Sequence, residues 1–155
     1  MADVNVHRSQ AILRMPVKYV DATLILHDGE RVEVIFMLPR SEELTRVISE
    51  GEAFVPVMRD AKIYIVARDA IACVSLVVEP PAVPDENALP SNHQRAAVKL
   101  RSGMMVEGEL RWPVVSGEQR TTDYLNAATP YFELHTADRT YYVIKAHVAT
   151  VLEIT

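Results

Sequence analysis

The chain has 155 residues, 49% hydrophobic and 24% charged, with a formal net charge of −5. This composition is ordinary for a soluble globular protein, and it lacks the basic surplus with which nucleic-acid binders displace phosphate counterions. A single cysteine, Cys73, excludes an internal disulfide and a cysteine-based zinc site, and no stretch approaches the roughly 20 apolar residues that a membrane-spanning helix needs.

Residues 1–19 read as an N-terminal arm, in which residues 11–15 make a short helical turn or an added strand before Pro16 interrupts it. The opening MADVNVHRSQ carries no basic-then-apolar leader, so a cytoplasmic location is expected. Residues 20–78 then form a first unit. Leu24 and Leu26 alternate with more polar neighbours, Asp28-Gly29 suits a hairpin turn with positive φ, and Val32, Val34, Phe36 and Leu38 run at period two up to Pro39. Ser41 is the expected N-cap of a short helix, with Glu42 and Glu43 at its positive end and Gly51 at its C-terminus. Leu44, Val47 and Ile48 share one face of that helix. Residues 54–58 and 62–68 pair across Arg59-Asp60-Ala61, and a tight turn at Asp69-Ala70 leads into a last strand over residues 71–78. Cys73 lies in that apolar run and reads as a buried small hydrophobe. Residues 79–93, with Pro80, Pro81, Pro84 and Pro90, form a semi-stiff linker.

Residues 94–155 repeat the first unit. Ala22, Leu26, Gly29, Val32, Glu33 and Pro39 recur 74 positions later as Ala96, Leu100, Gly103, Val106, Glu107 and Pro113. Beyond a loop that is longer in the second copy the offset becomes 77, and Thr45, Tyr64, Val66, Ala72 and Val74 recur as Thr122, Tyr141, Val143, Ala149 and Val151. A repeat of this length is a whole small domain. Each copy alone is near the size at which stability is marginal, so the copies are expected to pack on each other or on further subunits. The expected fold is therefore all-β: two tandem five-stranded barrels from an internal duplication, each with a short helical connection. In strand order and length both copies resemble SH3-like and Sm-like small barrels, and also small duplicated bacterial domains. The resemblance implies a fold and a bacterial origin. It implies no activity, because small barrels serve as adaptors, RNA binders and assembly units alike.

Chemistry-bearing motifs are sparse. His7, His27, His93, His135 and His147 have no metal-ligand spacing, although His135 and His147 could approach each other across strands. There is no G-x-S-x-G elbow and no phosphate-cradling glycine loop. The expectation is a protein that is not an enzyme and takes no cofactor or metal. Residues 120–126 form the most polar loop. Arg120, Asp123 and Asn126 could face a ligand there, or Thr122 and Asp123 could cap a helical turn while Tyr124 and Leu125 fill the barrel end.

The difference between the copies is the sharper clue. Ile25, Ile35 and Met37 stand where the second copy has Lys99, Glu109 and Arg111. Strand side chains alternate between faces, so the first hairpin of copy one is apolar on both sides and must be covered. The arm (through Ile12, Leu13 and Met15), the second copy or another subunit could supply the cover. The expected function is a cytoplasmic protein-interaction or assembly module with Ile25, Ile35 and Met37 as contact residues. It would act through the apolar sheet face or barrel edge of copy one, by self-association into a homo-oligomer or by docking a partner strand. Two other readings stand beside it: an Sm-like RNA binder using Arg95, Lys99, Arg101 and Arg111, and a small-molecule sensor closing residues 113–126 over a ligand. Net charge favours neither copy as an RNA surface, since residues 20–78 sum to −4 and residues 94–155 to zero.

Overall fold

A computed structural model describes residues 16–78, 90–114 and 120–155. Ile12, Leu13 and Met15 of the expected arm, the linker prolines Pro80, Pro81 and Pro84, and residues 115–119 of the expected ligand loop lie outside the described residues. Copy one comprises β1 (Val17–Leu26), β2 (Arg31–Pro39), helix α1 (Leu44–Glu50), β3 (Phe54–Arg59), β4 (Lys62–Ala67) and β5 (Ile71–Val77). Copy two repeats the order as β6 (Ser91–Leu100), β7 (Met105–Pro113), helix α2 (Thr121–Leu125), β8 (Tyr131–His135), β9 (Arg139–Ile144) and β10 (Val148–Ile154). A 3₁₀ turn precedes the last strand of each copy, at Arg68–Ala70 and Lys145–His147. β1 and β6 reach back into the stretches expected as arm and linker, because β1 pairs with β2 as far as Val17↔Pro39 and β6 with β7 as far as Ser91↔Pro113.

Two separate closed barrels are not what forms. All ten strands belong to one open antiparallel sheet in the order β10-β6-β7-β8-β9-β5-β1-β2-β3-β4. Within each copy the order is the same, last strand first, and the copies are joined edge to edge where β5 pairs with β9. The register there sets Cys73 opposite Val143, Ser75 opposite Tyr141 and Val77 opposite Arg139.

The local chemistry explains the elements. Gly29 and Gly103 take φ of 91° and 95° at the tips of the two long hairpins, a region that side-chain-bearing residues avoid. Ser41 is not the cap of α1. The chain leaves β2 through a turn in which the Glu42 N–H donates to the Pro39 carbonyl, so helical geometry starts only at Leu44, with Glu43 in the cap position. Gly51 does end the helix, and its cause is space: a Cβ there would lie 2.5 Å from the Val47 carbonyl oxygen. At α2 the cap is Arg120, whose backbone N–H donates to the Asp123 carboxylate three residues on.

Two apolar clusters result. The first gathers Leu24, Val34, Phe36, Leu38, Ile48 and Val57 of copy one. The second gathers Val98, Leu110, Trp112, Phe132 and Val143 of copy two, and it also takes in Ile25, Ala72 and Cys73 from copy one. Tyr142 and Ile144 of copy two pack in turn on the first cluster. Hydrophobic burial thus crosses the seam in both directions and ties the duplicated halves into one unit.

Candidate interaction surface

The seam between the copies is well made. Beyond the paired strands, Arg139 Nη1 donates to Ser75 Oγ at 3.0 Å, the Val78 N–H donates to the Asp138 carbonyl at 2.8 Å, and a His147 ring nitrogen lies 2.8 Å from the Asp69 carbonyl oxygen. The repeat places β10 as the equivalent of β5 and β4 as the equivalent of β9. These equivalents are the two ends of the sheet, and among the described residues neither end has a further strand beside it. Burial follows the pairing. Ser75 on β5 is 1% exposed and its equivalent Leu152 on β10 is 63% exposed, while Thr140 on β9 is 7% exposed and its equivalent Ile63 on β4 is 63% exposed. Ile65 and Tyr64, also on β4, are exposed as well. An open edge with large apolar side chains on both faces is the arrangement that monomeric sheet proteins guard against with charges, bulges or proline.

The outward face of the sheet differs between the copies in the same sense. On copy two it is a linked set of polar groups. Arg111 Nε donates to Glu109 Oε1 at 2.6 Å, His93 Nδ1 lies 2.8 Å from the same oxygen, and His135 Nε2 lies 3.4 Å from Glu133 Oε2. The hydrogen bond from Arg111, and then that from His93, holds the Glu109 carboxyl below the usual carboxylate range. On copy one the equivalent positions are Tyr19, Ile35, Met37, Pro56 and Met58. Cross-strand register sets Ile35 beside Met58, Met58 beside Ile63, and Pro56 beside Ile65, so this apolar face runs without a break into the free edge of β4. Tyr19 and Phe54 are largely exposed, while Ile35 and Met37 are half-buried. Next to it lies a groove walled by Met37, Phe54 and Pro56 and rimmed by Glu42, Glu50 and Glu52.

The residues singled out from the sequence fall in different places. Ile25 is 1% exposed, covered by copy two within the chain rather than presented at the surface with Ile35 and Met37. Arg120 and Asp123 engage each other through two side-chain hydrogen bonds, which hold the Asp123 carboxyl below its usual range and raise the Arg120 guanidinium further. The Asn126 N–H closes the end of α2 on the Thr122 carbonyl. Tyr124 stacks on Trp112 with ring centroids 5.1 Å apart. Of the four basic residues of the RNA reading, Arg95 pairs with Glu107, Arg111 with Glu109, and Arg101 donates to the Ala146 carbonyl, while Lys99 is exposed. Among the described residues no three histidine, cysteine or acidic side chains are grouped to hold a metal ion. No helix of the described residues is long and apolar enough to cross a membrane. Sequence reasoning missed Ile63, Tyr64 and Ile65; comparing β4 with β9 position by position, Ile63 against Thr140, was the signal that could have found them.

Compared with protein-family models, with curated proteins and with solved structures, the chain has no match.

Proposed function

We propose that this chain is a non-enzymatic assembly module whose first copy presents one apolar surface to a protein partner. That surface is the outward face around Ile35 and Met37 together with the edge strand β4. The reading is carried by the contrast between equivalent positions: Ile63 and Ile65 are each 63% exposed on an edge that is unpaired among the described residues, whereas their equivalents beside β5, Thr140 and Tyr142, are buried and half-buried. Exposed apolar area that adjoins unpaired backbone N–H and C=O groups is the chemistry of strand addition, in which main-chain hydrogen bonds give affinity and side-chain contacts give selectivity. The recurrence of one strand order in both copies also supports an SH3-like or Sm-like unit opened at a seam. The arginines of copy two are mostly paired with carboxylates, which supports protein over RNA as the partner.

The test compares the full chain with the Ile63→Glu/Ile65→Glu variant by sedimentation over a range of concentrations and by pull-down from native lysate with and without RNase. A complex that survives RNase and is lost in the variant is the expected result. A complex unchanged by the variant, or one that disappears with RNase, overturns the proposal.

A further inference from the structure

We infer that the partner is a second copy of this chain, added head to tail so that β10 of one chain pairs antiparallel with β4 of the next. This rests on the reading of β4 given above and names what binds there. The chain already contains one finished example of the joint. β5 and β9 are the last strand of one copy and the fourth strand of the other, and β10 and β4 are the same two strands, left unpaired among the described residues at opposite ends of the same sheet. A surface that carries both halves of a self-complementary joint at its two ends makes a heterologous contact, which closes into a ring when the rotation per joint divides a full turn.

The register of the internal joint carries over directly. Shifted by the repeat, Ser75↔Tyr141 becomes Leu152↔Tyr64, and Val74↔Tyr142 becomes Val151↔Ile65. Leu152, Tyr64 and Ile65 are 63%, 46% and 63% exposed in the single chain, so the joint covers the exposed apolar side chains at both ends. Neighbouring loops agree. A Cβ on Gly29 would lie 3.5 Å from Ser102 Oγ across the internal joint, whereas one on the equivalent Gly103 meets nothing within 4 Å among the described residues, which leaves room there for a neighbouring chain.

One difference between the joints is informative in itself. At the internal joint Ile25 and Met104 belong to a single apolar cluster. Their equivalents across the outer joint are Lys99 and Glu30, both exposed in the single chain and opposite in charge. Apolar packing inside the chain is thus replaced by opposite charges between chains, which set register and orientation and make the outer joint weaken with salt.

The experiment is native mass spectrometry and sedimentation of the full chain with two edge variants, Ile63→Glu/Ile65→Glu on β4 and Thr150→Glu/Leu152→Glu on β10. The wild type is expected to assemble. Each variant alone, with its circular dichroism unchanged, is expected to stay a single chain, because association falls by about a hundredfold or more when charge is set on a strand edge. An equimolar mixture of the two is expected to form a complex of one chain of each, since each retains the half that the other has lost. Where an edge variant fails to fold, the exposed pair carries the test. Lys99→Glu alone weakens assembly about tenfold, and Lys99→Glu with Glu30→Lys restores it. A wild-type chain that stays single, a mixture that stays single, or a charge swap without restoration overturns the inference. Loss of assembly in the β4 variant but not in the β10 variant also overturns it, and leaves the interaction reading of β4 standing.

Discussion

Ile25→Ala measures how far the two copies depend on each other. Ile25 belongs to β1 of copy one, yet its side chain is 1% exposed within the apolar cluster of copy two. The substitution removes three buried carbons, about 2.4 kcal/mol of transfer free energy at ~0.8 kcal/mol per methylene. The cavity left in a seam held from both sides raises the loss to about 3–4 kcal/mol. For a chain of this size that lowers Tm by roughly 6–16 °C. Ile35→Ala, on the half-buried outward face, serves as control at about 1 kcal/mol. Urea unfolding followed by circular dichroism and by Trp112 fluorescence is the assay. Trp112 is the only tryptophan and is buried in copy two, so its signal reports the copy that Ile25 does not belong to. Ile25→Ala is expected to lower both midpoints together. A loss below about 1 kcal/mol, or a fluorescence transition that stays in place while the dichroism moves, would refute the account of a shared core.

Three further outcomes follow from the geometry. Gly108→Ala is expected to destabilise by about 1–3 kcal/mol, since its Cβ would lie 2.8 Å from the His135 carbonyl oxygen and 2.9 Å from Leu134 Cγ; an unchanged Tm counts against the close β7–β8 approach. Ala61→Gly is expected to stabilise by about 0.5–1 kcal/mol in calorimetry, because Ala61 sits at φ 60° in the β3–β4 turn, and a loss instead would mean that Ala61 makes a contact worth more than the strain. Burial pushes the Cys73 thiol up from its ordinary 9.0 to about 12, against a smaller opposing pull from Arg31, so a thiol reagent at pH 8 is expected to react only as fast as the chain unfolds. The unfolded thiol gives up its proton first; this contribution to stability is therefore complete below about pH 9 and is lost progressively as pH rises toward 12.

What was legible in the sequence was what depends on neighbours along the chain. The hairpin tips at Gly29 and Gly103, the inward rows Leu24–Phe36–Leu38 and Val98–Leu110–Trp112, and the helical connections all follow from period and turn chemistry, and the structure holds them. What depends on pairing between distant strands was not legible. The β5–β9 joint is set by which edges meet, and the apolar run in Ile71–Val77 says only that the strand is buried, not by what. The same limit applies to Ile25, apolar on a face expected to be outward, whose cover came from the other copy. Ser41 failed as a cap for a local reason, because the turn closing on Pro39 consumed the residues before the helix.

The seam that joins the copies has a consequence for how their sequences are free to vary. In an assembly of identical single units, each substitution lands on every unit at once. Here covalent linkage fixes which unit occupies which side of each internal joint, so the two can specialise independently. Glu109 and Arg111 pair on the outward face of one copy, while Ile35 and Met37 make the equivalent positions of the other apolar. The duplication thereby replaces a uniform surface with two unlike ones, polar on one half of the molecule and apolar on the other.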